Sequence, residues 1–249
     1  MKQKLNFDGL REDKMKKVSA VERREFLKLG FAITGVFAGG SVLSLVSNVR
    51  KSFASPGEFA AQYPYKPHYG MVIKQSRCID CERCVEACTA TNHVPPYGFR
   101  TAILEKIVPD AVGRKREFIP VLCNQCNDAP CVRACPTRAS YKDRKNGIVM
   151  IAYEKCIGCK ACMLACPYNA RYFNEERHAV DKCDFCFESR LSKGEELTAC
   201  ANICPAGVRN FGDISDPDSD VYGMIHQIEQ TVWVLRAEAG TKPNVFYMK

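Results

Sequence analysis

Apolar and polar positions along the chain change in short bursts rather than long blocks. Three runs of β-like composition, Gly70 to Lys74, Phe118 to Leu122 and Gly147 to Ala152, each lead into a stretch dense in cysteine. Helix-compatible segments, Cys84 to Thr91 and Ala161 to Cys166, follow, and the rhythm predicts a repeated β-loop-α unit. Asn92 to Gly98 and Asn127 to Pro130 read as loop. Tyr222 to Ala237 carries apolar residues at roughly helical spacing and holds the single tryptophan, Trp233, which suits a core position and an interface anchor equally well. One longer apolar run, Gly30 to Val46, spans roughly seventeen residues and is broken by Thr34, Ser41 and Ser44, at or below the length a bilayer span requires.

Arg23 and Arg24 stand together ahead of that run, with Phe26 and Leu27 behind them. The arrangement resembles a twin-arginine export signal. Ser52-Phe53-Ala54 before Ser55 offers a small-x-small cleavage site. The expected organisation is therefore a signal segment, residues 1–54, followed by a mature domain, residues 55–249. Retention of the segment as an amphipathic anchor is the alternative, and both readings place the domain on the periplasmic side.

Net charge of +8 raises the question of a nucleic-acid partner, and its location answers it. Residues 1–54 contain eleven of the 36 Lys and Arg but five of the 28 Asp and Glu, so the excess beyond them falls to +2. No basic stripe with interleaved aromatics follows, so nucleic acid is not expected as a partner. An apolar fraction of 46% excludes a disordered chain.

Sixteen cysteines change the picture most. They form four groups of four: Cys78, Cys81, Cys84, Cys88; Cys123, Cys126, Cys131, Cys135; Cys156, Cys159, Cys162, Cys166; and Cys183, Cys186, Cys200, Cys204. The first and third read C-x2-C-x2-C-x3-C, while the second widens one gap to four residues and the fourth to thirteen; proline follows the last cysteine in three of them. In the bacterial ferredoxin run three closely spaced thiolates hold one 4Fe-4S cluster and the fourth reaches a neighbouring one. The fourth cysteine is expected to begin a helix, with the proline in its first turn. Structural zinc favours paired C-x2-C motifs split by a longer loop and does not call for that proline. Eight disulfides among cysteines three or four residues apart would demand pairings that Cα geometry rarely permits. Export of a folded protein fits this reading, because a cluster must be inserted before sixteen thiols meet an oxidising compartment.

Cys123-Asn124-Gln125-Cys126 with Pro130-Cys131, Tyr153-Glu154-Lys155-Cys156-Ile157-Gly158-Cys159, Phe211-Gly212-Asp213-Ile214-Ser215-Asp216-Pro217 and Gly240-Thr241-Lys242-Pro243 together resemble the four-cluster iron-sulfur subunits of molybdopterin oxidoreductases, the polysulfide, thiosulfate, tetrathionate and dimethyl sulfoxide reductase group. The resemblance implies an α+β fold of two ferredoxin-like (βαβ-type) dicluster modules, rich in loops. It also implies that the first group pairs with the fourth and the second with the third. Cluster A then takes Cys78, Cys81, Cys84 and Cys204, and cluster B takes Cys183, Cys186, Cys200 and Cys88. Cluster C takes Cys123, Cys126, Cys131 and Cys166, and cluster D takes Cys156, Cys159, Cys162 and Cys135. A family variant that lacks a third-group cysteine carries a 3Fe-4S centre; Cys159 and its neighbours are present here, so four 4Fe-4S clusters are expected. Thr89 stands where the other groups have proline, and a local departure of the backbone is expected there.

No dinucleotide or phosphate-loop fingerprint appears, no cysteine is spare as a nucleophile, and His68, His93, His178 and His226 show no ligand-like spacing. The chain is expected to be non-catalytic. The implied function is relay of single electrons between a membrane quinone- or quinol-reactive subunit, including one of multihaem cytochrome type, and a periplasmic molybdopterin catalytic subunit. A freestanding periplasmic ferredoxin-type carrier for a cytochrome-based reductase is the alternative. No apolar run of bilayer length follows Cys204, which puts any quinone site on another subunit. Arg83, Arg133, Lys155 and Lys160 flank ligands and read as solvated surface charge more readily than as tuners of potential.

Overall fold

Met71-Val72-Ile73 is apolar without alternation, the pattern of a strand buried on both faces, and all three residues are fully buried. Each such burial stabilises the fold by about 1.5–3 kcal/mol. The computed structural model describes residues 63–110, 113–226, 229 and 231–249; the expected signal segment 1–54 and its boundary with the mature domain lie outside the described residues.

In chain order the elements are β1 (Tyr69–Lys74), α1 (Arg83–Asn92), β2 (Thr101–Asp110), β3 (Gly113–Leu122), α2 (Pro130–Arg133), β4 (Ser140–Lys142), β5 (Val149–Ile151), α3 (Ala161–Leu164), β6 (Tyr172–Asn174), β7 (Ala179–Asp181), α4 (Ala199–Asn202), β8 (Arg209–Asp213), α5 (Asp220–His226), β9 (Val232–Trp233) and β10 (Val245–Met248). One sheet has the order β8-β1-β10-β9, with β1 antiparallel to β8 and parallel to β10. Met71 sits opposite Phe211 on one side and Val245 on the other. The pairs β2-β3, β4-β5 and β6-β7 are separate antiparallel hairpins. Helix α1 packs on α4, and α2 on α3, so the first cysteine group meets the fourth and the second meets the third. The result is a ferredoxin-like α+β fold.

Two expectations need correction, and one strand runs longer than expected. Cys135, Cys166 and Cys204 do not begin helices: α2, α3 and α4 contain the third cysteine of their groups and stop before the fourth. Pro136, Pro167 and Pro205 act as stops, since a proline disfavours helical backbone in the residue ahead of it. Thr89 lifts that restriction in the first group, and α1 runs on through Cys88 to Asn92, where His93 closes it in a left-handed conformation with its N–H donating to the Thr89 carbonyl. The helical spacing of Tyr222 to Ala237 is realised only up to His226; Val232–Trp233 instead forms a strand against β10, and the Trp233 ring stacks on Tyr247 at 4.7 Å. The strand expected at Phe118 to Leu122 is the inner half of a ten-residue strand whose outer end, Gly113 to Arg116, is exposed and polar.

Candidate iron-sulfur centres

The C-x2-C-x2-C loops are built by residues in the left-handed region. Asp80 and Glu82 in the first group (φ 56° each), and Gly158 and Lys160 in the third (φ 66° and 59°), occupy equivalent places on either side of the second cysteine. Repeated left-handed steps coil a short loop tightly enough to bring three nearby side chains toward one space.

Three cavities have four cysteines each in their walls. The first is lined by Cys78, Cys81, Cys84 and Cys204, the second by Cys123, Cys126, Cys131 and Cys166, and the third by Cys135, Cys156, Cys159 and Cys162. The remaining four thiols also lie together: burial, followed by the proximity of Cys200 and Cys186, pushes the Cys88 thiol up to about 12, and Cys183 is raised by burial and by Cys88, Cys186 and Cys200. Cys126 is likewise pushed up to about 12 by burial and by its cavity neighbours Cys123, Cys131 and Cys166. Among the described residues, no set of three or more His, Cys, Asp or Glu could hold a single metal ion. The thiols surround volumes instead of converging on points. Such a donor set fits a polynuclear cluster with four thiolate ligands.

Exposure differs in a regular way. Cys81 and Cys159 are exposed, each in an outer quartet whose other members are partly or fully buried. Cys88, Cys183, Cys186 and Cys200 are all buried, and the quartet of Cys123, Cys126, Cys131 and Cys166 is buried except for partial exposure at Cys166. The two inner quartets adjoin through Gln125, whose Nε2 donates to the Cys183 carbonyl at 2.7 Å while its Oε1 accepts from Val149 N–H at 2.8 Å.

Buried polar groups around the thiols escape a reading of the sequence. Arg171, 2% exposed, donates to Cys131 Sγ at 3.0 Å and Ser140 Oγ at 2.8 Å. Arg209, 3% exposed, donates to Thr101 Oγ1 at 2.8 Å and approaches Cys200 Sγ at 4.0 Å. Asn92 Nδ2 approaches Cys88 Sγ at 3.5 Å and Cys186 Sγ at 3.6 Å. Its Oδ1 accepts from Arg100, which also donates to Asp181 at 2.9 Å and Asp184 at 2.9 Å in a buried network completed by Tyr153. Burial opposes ionisation of Asp181, yet Arg100 and the Tyr172 hydroxyl hold its carboxyl below the usual range. By contrast Arg83, Arg133, Lys155 and Lys160 are all exposed. The sequence does contain one signal: Cys166-Pro167-x3-Arg171 and Cys204-Pro205-x3-Arg209 share a spacing.

The carboxy-terminal motif closes over the second group. Asn127 N–H donates to Lys242 O at 2.8 Å, Asp128 N–H to Thr241 O at 3.0 Å, and Asn244 Nδ2 to Gln125 O at 2.8 Å. Among the described residues no helix is long and apolar enough to cross a membrane.

Comparison with known proteins gives matching results. Residues 114–214 match the family model of a 4Fe-4S dicluster domain, and residues 75–92 that of a 4Fe-4S binding domain. One tetrathionate reductase subunit, from Salmonella typhimurium, is 39% identical over 199 residues, covering 76% of this chain and 78% of the relative. A protein NrfC homolog of Haemophilus influenzae is 34% identical, with 84% and 90% coverage. The Hdr-like menaquinol oxidoreductase iron-sulfur subunit 1 of Archaeoglobus fulgidus is 34% identical, with 92% and 98% coverage.

Proposed function

The chain belongs to the 4Fe-4S dicluster family of iron-sulfur electron-transfer subunits, and from that premise we propose that it relays single electrons through four 4Fe-4S clusters, held in two dicluster modules, between two partner subunits of a periplasmic respiratory complex. The observation that carries this reading is the exposure of the quartets: two are outer, each with one exposed cysteine, and two are inner, with every cysteine buried except for partial exposure at Cys166. A relay needs that arrangement, because charge has to enter and leave near the surface while the intermediate stations stay insulated.

The ligand sets are Cys78, Cys81, Cys84 and Cys204 for cluster A; Cys183, Cys186, Cys200 and Cys88 for B; Cys123, Cys126, Cys131 and Cys166 for C; and Cys156, Cys159, Cys162 and Cys135 for D. The bound clusters supply one-electron chemistry in which no bond forms or breaks. The chain holds each cluster by four thiolates, keeps water from the inner pair and fixes the spacing through α1-α4 and α2-α3 packing. It contributes no substrate-transforming group of its own. The name of the Salmonella relative favours a reductase as one partner, and that of the Archaeoglobus relative a menaquinol-reactive one; in this proposal a molybdopterin catalytic subunit meets the cluster A end and a membrane subunit the cluster D end.

Anaerobic affinity purification of the chain from its own cells, at native abundance, tests the assignment. Recovery of a large molybdopterin-containing subunit is expected. Recovery of the cluster-loaded chain alone, or with a cytochrome only, points to the freestanding carrier instead.

A further inference from the structure

The two buried arginines occupy equivalent places. Arg171 follows Cys166 by five residues and Arg209 follows Cys204 by five, each with proline directly after the cysteine. Arg171 directly precedes β6, and Arg209 is the first residue of β8. Arg171 lines both the cavity of Cys123, Cys126, Cys131 and Cys166 and that of Cys135, Cys156, Cys159 and Cys162. Arg209 lines the cavity of Cys78, Cys81, Cys84 and Cys204, and its Nη1 faces Cys200 of the neighbouring quartet at 4.0 Å. Each guanidinium therefore stands between the two quartets of one pair. Each also keeps one buried nitrogen without a hydrogen-bond partner in the protein, Nη1 of Arg171 and Nε of Arg209. An orphaned donor on a buried cation is costly unless an anionic acceptor lies beside it.

We propose that Arg171 and Arg209 are paired positioning residues, each setting one fixed positive charge between the two clusters of its pair, so that the reduction potentials of both clusters are raised together. This rests on the four-cluster reading above. Reduction adds one negative charge to a cluster, so a fixed cation nearby favours the reduced form and raises the potential. A cation to one side of a pair would separate the two potentials. A cation between them raises both together, which suits electron exchange within the pair in either direction. No proton moves and no bond changes; the guanidinium stays charged throughout.

The test compares Arg171→Gln, Arg171→Lys, Arg209→Gln and Arg209→Lys in the full anaerobically purified chain, with iron and sulfide quantitation and EPR-monitored redox titration. Each Gln variant is expected to lower the midpoints of two centres, those of its own pair, and leave the other two unmoved; each Lys variant is expected to stay near the wild type. Cluster loss in a Gln variant while the matching Lys variant loads also supports the role of charge. Unmoved midpoints in a fully loaded Gln variant, an equal shift in all four centres, a shift confined to one centre, or equal damage by Gln and Lys each overturn the proposal. A wild-type protein without iron would instead overturn the four-cluster reading, so the two failures are separate.

Discussion

Arg100 is the sole buried partner bridging Asp181 and Asp184 among the described ion pairs, with side-chain exposures of 4%, 2% and 8% for the three residues. Arg100→Met keeps much of the apolar stem and deletes the charge. It leaves two buried carboxylates facing one another's field. Breaking a buried pair by removing one partner costs about 3–5 kcal/mol. Here the lower part of that range applies, because Asp181 still accepts from the Tyr172 hydroxyl at 2.7 Å and the Tyr153 hydroxyl at 3.1 Å, and Asp184 from the N–H groups of Cys186 at 3.0 Å and Glu188 at 3.2 Å. At about 2–4 °C per kcal/mol for a domain of this size, a cost of about 3 kcal/mol lowers the apparent melting temperature by roughly 6–12 °C. Loss of the visible cluster absorbance, followed anaerobically at one fixed scan rate, reads the shift. Adding Asp184→Asn to the variant should return part of it, since one of the stranded charges is then gone. A fall smaller than about 2 °C, or no recovery in the double variant, would refute the claim that this network braces the fold by charge balance.

Cys159→Ser should disturb one EPR centre, that of cluster D, and leave three; loss of a centre from the other pair would refute the ligand assignment. Gly147→Ala should destabilise by about 2–4 kcal/mol in the same thermal assay, because φ is +69° and the added Cβ would lie 2.3 Å from the Tyr65 ring. A neutral result there would mean that the β4-β5 turn and Tyr65 relax freely.

Cysteine spacing makes the thiol groups legible because covalent chemistry imposes it locally: a three-residue step survives in the sequence whatever the surrounding fold does. The fourth member of each quartet comes from a distant group, and only a resemblance pointed to it. Proline after the fourth cysteine reads as a helix start because it suits both a first turn and the end of the preceding helix; only the position of Cys131, Cys162 and Cys200 inside α2, α3 and α4 separates the two. Val232–Trp233 reads as helix by spacing and becomes a strand because β10 offers it an edge. The buried cations are the least visible. Arg100, Arg171 and Arg209 look like any surface arginine until tertiary packing removes their water, although the repeated C-P-x3-R spacing marks two of them.

The central claim is that sixteen thiols wrap iron-sulfur cubanes, and elemental analysis of the anaerobically purified, folded chain tests it most directly. Iron and acid-labile sulfide should each approach one atom per cysteine, with zinc negligible. A folded, thermally stable protein that carries zinc, or no metal, in place of that iron would contradict the account.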